Sequence, residues 1–422
     1  MKPETTFKQA SCADDYDPAS LPADVALQNI IRAIKPVSEI ERLPVRNAIG
    51  RILREEISSP VNVPSGTNSA MDGYAICSMD IPANGTAELE VIGTAFAGKP
   101  FAGTISPGQS IRIMTGAVMP SGADTVVMQE HVEPGNGSIR IDNSVKAGAN
   151  VRMAGEDVAI GDTVLEPGTE ITPADIGLIA SLGIGEINVT RKLRVAFFST
   201  GDELCSVGEP LADGNIYDSN RYTLYGMLSR LGTEIIDMGV IRDNREDLQK
   251  AFQQAAAQAD VLVTSGGVSV GEADYVKEIL EMVGTVNFWK VAMKPGRPLA
   301  FGKIQDTWFF GLPGNPVSVM VTFYQFVQPA LRFLTGAREI APVTFKAICK
   351  SRLKKRPGRV EFQRGILEHD EAGQVIVHKT GAQGSGILRS MTQANCFIIL
   401  PVESGSIEPG TLVDVQPFFG LV

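Results

Sequence analysis

Apolar positions follow three different rhythms along this chain. Between residues 22 and 57 they recur at helical spacing (Val25, Ile30, Ile31, Ile34, then Ile52 and Leu53), which predicts two helices. Between 74 and 150 they form short alternating runs, among them Leu89-Glu90-Val91-Ile92-Gly93, Ser110-Ile111-Arg112-Ile113 and Thr125-Val126-Val127-Met128. Gly and Pro punctuate these runs, as in a small all-β domain. From Lys192 on, the composition changes: Leu193 to Gly201 and Val261 to Ser265 are apolar runs that read as buried strands, and Thr233 to Ile241 and Trp308 to Leu312 read as two more strands.

A helical pattern follows each of these four. Asp218-Ser219 caps one with Leu224, Met227 and Leu228; Asp243 opens one with Leu248, Phe252 and Ala255. A third runs from Ala273 through Val276, Ile279, Leu280 and Val283, and a fourth through Val319, Phe323, Phe326 and Leu331. Strands alternating with helices predict a parallel sheet with helices on both faces. Earlier, Thr172-Pro173 starts a helix through Ile176, Ile179 and Leu182 that stops at Gly183, with Pro at its first position and Gly past its end. Beyond 337 the helical pattern is lost. Short strands at Phe345–Cys349, Val360–Arg364, Gln374–Val377, Cys396–Leu400 and Leu412–Val415 predict a small β-barrel or sandwich. Residues 1–20 are polar and turn-rich and read as a mobile tail.

Composition narrows the function. The chain has 422 residues, with 38 Lys and Arg against 48 Asp and Glu, a net charge of −10. A general nucleic-acid surface is therefore not expected. No apolar run reaches the length of a bilayer span, and the N-terminus lacks a signal-peptide core. The five cysteines (Cys12, Cys77, Cys205, Cys349, Cys396) show no paired spacing, which fits a reducing cytoplasm and argues against a thiolate metal site. Three histidines are too few and too dispersed for a histidine-rich centre, so any metal should be a hard cation held by oxygen.

Polar chemistry concentrates in loops and at strand ends. The loop Val63 to Ala75 carries Asp72 before Gly73, which spacing alone reads as a turn aspartate. Thr115-Gly116 follows the Arg112 strand. Arg152 to Asp157 groups one cation with two carboxylates, as a local ion pair or a site. In open α/β sheets, ligands lie beyond the carboxyl ends of the strands. Those ends carry Ser199-Thr200-Gly201-Asp202-Glu203, Arg242-Asp243, Ser265-Gly266-Gly267 with Asp274 one turn on, and Pro313-Gly314-Asn315-Pro316. Lys290, Lys294 and Arg297 fall within eight residues between the third helix and the last strand. Carboxylates for a divalent cation, with cations and free amides for a phosphate or oxyanion, suit Mg²⁺-dependent chemistry on a phosphorylated small molecule. Neither a G-x-x-x-x-G-K-[ST] loop nor a G-x-G-x-x-G turn is present, and no G-x-S-x-G, H-E-x-x-H or histidine-centred triad.

Eight motifs, taken together and in order, resemble the MoeA / gephyrin E-domain family of molybdopterin molybdenumtransferases. They are Asn68 to Ala75, Arg112 to Ala117, Gly155-Glu156-Asp157, Ser199 to Leu204, Ile216 to Asn220, Thr264 to Asp274, Met293 to Pro298 and Gly311 to Ser318. The resemblance covers about residue 21 to the C-terminus and implies a multidomain α/β plus β protein. Its parts are a linker domain of helices and strands (21–60 and 150–191), an N-terminal β-rich domain (61–149), a central parallel-sheet α/β molybdopterin-binding domain (192–337) and a C-terminal small β-barrel (338–422).

In function, the resemblance implies insertion of molybdate into adenylylated molybdopterin with Mg²⁺, giving molybdenum cofactor and AMP. It further implies a cytoplasmic homodimer whose substrate cleft is shared between subunits, with contacts to the adenylyltransferase and to molybdoenzyme-maturation proteins. By the same resemblance Glu203, Asp243 and Asp274 hold Mg²⁺, and Ser265, Gly266, Gly267, Pro313, Gly314 and Asn315 cradle the pterin and its phosphate. Lys290 and Lys294 stabilise the anionic ligand. Lys294, Ser318, Arg364 and Ser385 form the molybdate seat. Asp72 and Thr115 reach into the partner's cleft, and Asp157 is a further catalytic residue. Arg297 stands where the family pattern has lysine and is left outside the site. A non-catalytic pterin-binding scaffold and a molybdopterin adenylyltransferase are the alternatives on the same fold; the set Asp72, Glu203, Asp243 and Asp274 favours the enzyme.

Overall fold

A computed structural model describes residues 20–267 and 275–418. The expected tail, all but its last residue, and Asp274 lie outside the described residues, as does the start of the helix read from Ala273. The chain forms two compact units. One holds the residues up to Glu41, Gly50–Ile52 and everything from Thr190; the other holds Arg42–Ile49 and Leu53–Val189.

The first unit is built on a six-stranded sheet. Its strands are β1 (Arg194–Thr200), β2 (Glu234–Ile241), β3 (Val261–Ser265), β4 (Gly284–Lys290), β5 (Pro298–Ile304) and β6 (Thr307–Leu312), in the order β2-β1-β3-β6-β5-β4. The first four positions are parallel, as expected from the strand–helix alternation. The two antiparallel strands β4 and β5 extend the edge and were not legible as strands. Gly284–Lys290 lies at the sheet edge and alternates in exposure, so it lacks the continuous apolar run that marks a central strand. This hairpin has a functional consequence. Two antiparallel steps make β4 run parallel to β6, so Lys290 and the loop after it come out at the same rim as the ends of β1, β3 and β6.

Side-chain alternation splits the sheet between two cores. Val195, Phe197, Val261, Val263, Phe310 and Leu312 face one core, with Leu224 and Leu228 of the helix Ser219–Arg230 and Ala26 and Ile30 of Ala23–Ala33. Phe198, Leu262 and Phe309 face the other, against Leu248 and Phe252 of Arg245–Gln258 and Ile279 and Leu280 of Tyr275–Val283. The first core also contains Phe362 and Phe397 of the C-terminal part. There, β7 (Phe345–Cys349), β8 (Val360–His369), β9 (Val375–Lys379), β10 (Cys396–Leu400) and β11 (Leu412–Pro417) close on themselves. The pairings β7–β9, β9–β8, β8–β10, β10–β11 and β11–β7 complete a five-stranded barrel.

Only one helix, Ala23–Ala33, forms where the spacing predicts two. Pro36, Pro44 and Gly50 interrupt the stretch after it, and Ile40–Pro44 is a strand with alternating exposure instead. Likewise Asn244, not Asp243, caps Arg245–Gln258, accepting from the Asp247 amide; Asp243 is left outside the helix.

In the second unit a six-stranded sheet carries Gly73–Ile76 and Gln109–Ile113 as adjacent inner strands, packed on both faces. The helix Pro173–Ser181 starts with the Thr172 hydroxyl accepting from the Asp175 amide, while the Asp175 carboxylate accepts from the Thr172 amide. It ends with Gly183 at φ 75° and the two backbone bonds of a Schellman motif. Thr172→Ala should cost about 1 kcal/mol locally, read as faster hydrogen exchange of the first-turn amides of this helix.

Candidate functional site

Three groups of residues bear the chemistry, two in the first unit and one in the second. The first lies at the carboxyl rim of the sheet. Gly266 and Gly267 follow β3 at φ 92° and 67°. A Cβ on Gly266 would sit 2.4 Å from the Thr200 carbonyl oxygen, and one on Gly267 would sit 2.4 Å from Val276. Only glycine lets β3 turn here without displacing backbone or core. The Gly266 amide donates to the Leu312 carbonyl, which ties the end of β3 to the end of β6. Asn220 reinforces the tie. Its amide nitrogen donates to Ser265 Oγ at 2.8 Å and to the Gly314 carbonyl at 2.7 Å. The two turns expected to cradle a phosphate, Ser265 to Gly267 and Pro313 to Asn315, are thus one hydrogen-bonded piece. Asp218 caps the helix that carries Asn220 and accepts from Ser199 Oγ at 3.1 Å.

Carboxylates gather on the same rim. Burial first, then the negative charges of Asp202 and Glu203, push the Asp243 carboxyl up from its ordinary range. Glu203 and Asp243 therefore stand close enough to interact; Asp274 is outside the described residues. Among the described residues no group of three His, Cys, Asp or Glu forms a ready metal cluster. Even so, the donor chemistry fits a hard cation, since mutually repelling carboxylates are relieved by a divalent ion. Asp202 belongs to this cluster but carries no expected role.

The second group lines a cavity of about 410 Å³ in the wall of the barrel. Four cations reach it, Lys294, Lys354, Arg364 and Lys379, with one carboxylate, Glu361. Met293-Lys294 pairs with the start of β8, Lys294 beside Glu361, which is how a sheet loop contributes a cation to the barrel. Arg364 is 1 % exposed. Its Nε donates to Ser390 Oγ at 3.1 Å and its Nη2 to the Gly384 carbonyl at 3.2 Å. Gln383 fixes its backbone from both sides, accepting from its amide and donating to its carbonyl. Burial alone lowers the Arg364 guanidinium to about 10, with no carboxylate to offset it. A charge buried on these terms is expensive unless an anion joins it.

Of the expected molybdate quartet, Lys294 and Arg364 share this cavity. Ser318 and Ser385 do not line it. They meet at the start of the helix Pro316–Thr322, where the Val317 amide donates to the Ser385 carbonyl. Lys354, Lys379 and Glu361 have no motif in the sequence to announce them; Glu361 near the start of β8, Lys379 at the end of β9 and Lys354 in the loop before β8 meet only because the barrel closes.

The third group is in the second unit. Asp72 Oδ1 accepts from the Thr115 amide and the Thr115 hydroxyl, both at 2.7 Å. These bonds, the amide first, hold the exposed Asp72 carboxyl below its usual range. Neighbouring loops interlock through Ser69, whose backbone bonds Ala117 and Gly116, and through Asn68-Ser69 paired with Val151-Arg152. Asp157 comes next, its amide bonded to Val63. In the loop before it, the Glu156 carboxylate accepts from the Met153 amide. The expected residues Asp72 and Thr115 are therefore in direct contact, and Asp157 lies on a loop bonded to the same segment.

Comparison with known proteins gives these groups a common context. Residues 21–183 match the family model for the MoeA N-terminal region (domain I and II), 196–332 a probable molybdopterin binding domain, and 346–418 the MoeA C-terminal region (domain IV). The chain is 47% identical over 94% of its length to a molybdopterin molybdenumtransferase of Haemophilus influenzae, covering 98% of that protein. It is 38% identical over 94% of its length to one from a Nostoc species, covering 93% of it. Among solved structures, a molybdopterin biosynthesis moeA protein from Pyrococcus horikoshii superposes with a TM-score of 0.84 at 30% identity, over 94% of this chain and 100% of that one. The chain belongs to the molybdopterin molybdenumtransferase family, and so is a transferase of molybdenum cofactor biosynthesis.

Proposed function

We propose that the protein inserts molybdate into adenylylated molybdopterin with the help of Mg²⁺, releasing AMP. The observation that carries this reading is Arg364, a buried guanidinium without a carboxylate partner in a cavity ringed by three lysines. A tetrahedral oxyanion supplies the missing charge.

In this reading each group has its own task. Lys294 and Arg364 hold molybdate, and Ser318 and Ser385 shape the adjoining wall. Ser265 to Gly267 and Pro313 to Asn315 seat the pterin phosphate with backbone amides, and the side-chain-free glycines let it come close. Lys290, at the same rim, adds positive charge for the pyrophosphate. Glu203, Asp243 and Asp274 would hold Mg²⁺, which when bound neutralises charge on the phosphoanhydride. The dithiolene sulfurs that receive the metal belong to the pterin, so the chain needs no cysteine for it. The protein acts as a cytoplasmic homodimer, and Asp72, Thr115 and Asp157 serve the cleft of a second copy. Their support is chemical: a charged, pre-bonded Asp72–Thr115 pair on an exposed loop is of little use to its own sheet.

The test is to incubate the protein with adenylylated molybdopterin, molybdate and Mg²⁺ and to measure AMP and active cofactor. Both should appear. Asp243→Asn should lower AMP release at least about tenfold while pterin binding persists, because the carboxamide is a far weaker ligand for a hard cation. Pterin binding without any AMP release would replace the transferase with a scaffold. Consumption of ATP with unmodified molybdopterin would identify the adenylylating step instead.

A further inference from the structure

The oxyanion cavity contains one group that opposes its task. Glu361 lines it among four cations, and its side chain is only 5% exposed. A carboxylate in the wall repels a bare dianion such as molybdate and attracts the cations meant to bind it. Its two oxygens are both engaged: Lys294 Nζ lies 3.5 Å from Oε1, and Gln363 Nε2 donates to Oε2 at 3.1 Å. The backbone enforces the first contact, because Lys294 and Glu361 are register partners in parallel strands.

The two partners differ in freedom. Glu361 is enclosed and fixed from behind by Gln363, whereas the Lys294 side chain is 41% exposed and its contact is long for an ion pair. Behind the wall, Lys355 is also buried, its ammonium held by the carbonyls of Arg356, Val402 and Ser404 at 3.3, 3.3 and 2.9 Å. The charge of Glu361 acts on Lys355 as well. Glu361 is thus built in place between two ammonium groups, of which only Lys294 lines the cavity.

We propose that Glu361 is a positioning residue: it holds Lys294 while the cavity is empty and gives it up to an entering oxyanion. Loading the cavity exchanges one partner of Lys294 for another. Affinity is therefore weaker, and release faster, than the four cations alone would give. For a site that must hand its oxyanion on to a pterin, release matters as much as capture. This inference rests on the oxyanion reading of the cavity.

The experiment is equilibrium dialysis of the full-length protein with molybdate, with stopped-flow measurement of its release. Glu361→Gln keeps the shape and an oxygen that can accept from Gln363, but frees Lys294. It should bind molybdate about tenfold more tightly and release it correspondingly more slowly. Glu361→Asp keeps the charge and should stay near the wild-type affinity. Tightening is the diagnostic sign, since structural damage to the wall would weaken binding. Wild-type binding that Glu361→Gln leaves unchanged or weakens overturns the role of Glu361 alone. Absence of molybdate binding in both proteins overturns the cavity reading, and this inference with it.

Discussion

Arg364→Met should lose about 100-fold or more in molybdate affinity while its melting temperature stays within a few degrees of the wild type. Two effects of opposite sign produce this pair of results. The guanidinium is the most enclosed cation of the cavity, and charge-assisted bonds to an oxyanion are strongest where water is excluded. Truncating a buried partner of a charge pair removes a few kcal/mol of binding, on the order of two decades in affinity. For folding, however, the same charge is a burden. The Arg364 guanidinium sits at about 10, below its ordinary value, because burial disfavours the charged form.

The pH dependence has a definite sign. Between about 10 and the ordinary arginine value the unfolded chain binds the proton and the folded one does not, so this group favours folding more as pH rises through that window. At neutral pH both states are protonated and the full penalty stands. Methionine removes that penalty and roughly fills the volume, while leaving the Gly384 carbonyl without its donor. Dialysis against molybdate and thermal unfolding without it measure the two halves separately. A variant that binds molybdate like the wild type would remove Arg364 from the site; one that unfolds far below it would make Arg364 a structural residue.

The same residue shows what a sequence can and cannot disclose. Arg364 stands in a short strand run of mixed polarity and has no motif around it; only the family resemblance places it with an anion. Lys354, Lys379 and Glu361 are hidden more deeply. Period-2 alternation says which residues share a strand face, but the closure of a five-stranded barrel decides which faces surround a cavity. By contrast, the parallel strands β1, β3 and β6 are legible one by one, because burial on both faces demands an unbroken apolar run, and the edge strand β2 is legible from its place between two helical patterns. Their loops are legible for the opposite reason: Gly266 and Gly267 interrupt such a run where no side chain fits.

The edge strand β4 escapes notice because its residues alternate between exposed and half-buried positions, and the buried strand β5 because Gly302 and Lys303 break its apolar run. Between Pro22 and Ile57 a helical period fits the apolar positions, yet proline breaks the helix and leaves a strand. Spacing also reads Asp72 as an ordinary turn aspartate, whereas in the structure it bonds Thr115, 43 residues along the chain. A contact at that separation is set by the tertiary fold, beyond the reach of local pattern.

Asn220→Asp tests the rim as Arg364→Met tests the barrel. It should reduce affinity for molybdopterin about 100-fold while molybdate binding in the barrel cavity is retained. Asn220 is nine-tenths buried and donates two hydrogen bonds, to Ser265 Oγ and to the Gly314 carbonyl. Aspartate has nearly the same shape but no donors when ionised. Its oxygens would face a carbonyl directly, and a serine hydroxyl that must turn round to donate. A buried carboxylate with one such partner missing costs several kcal/mol unless the turns part. Parting is the easier outcome, since Gly266 and Gly267 already allow unusual backbone angles and no side chain would then tie the two turns beyond the β3–β6 ladder and the Gly266–Leu312 bond. A pterin phosphate seated by amides from both turns would lose one wall. The Lys294–Arg364 cavity depends on β8 and the barrel loops, which Asn220 does not bond. Unimpaired molybdopterin binding in Asn220→Asp would show that the two turns need no common anchor. Simultaneous loss of molybdate binding would show that the rim and the barrel cavity are one site rather than two adjoining ones.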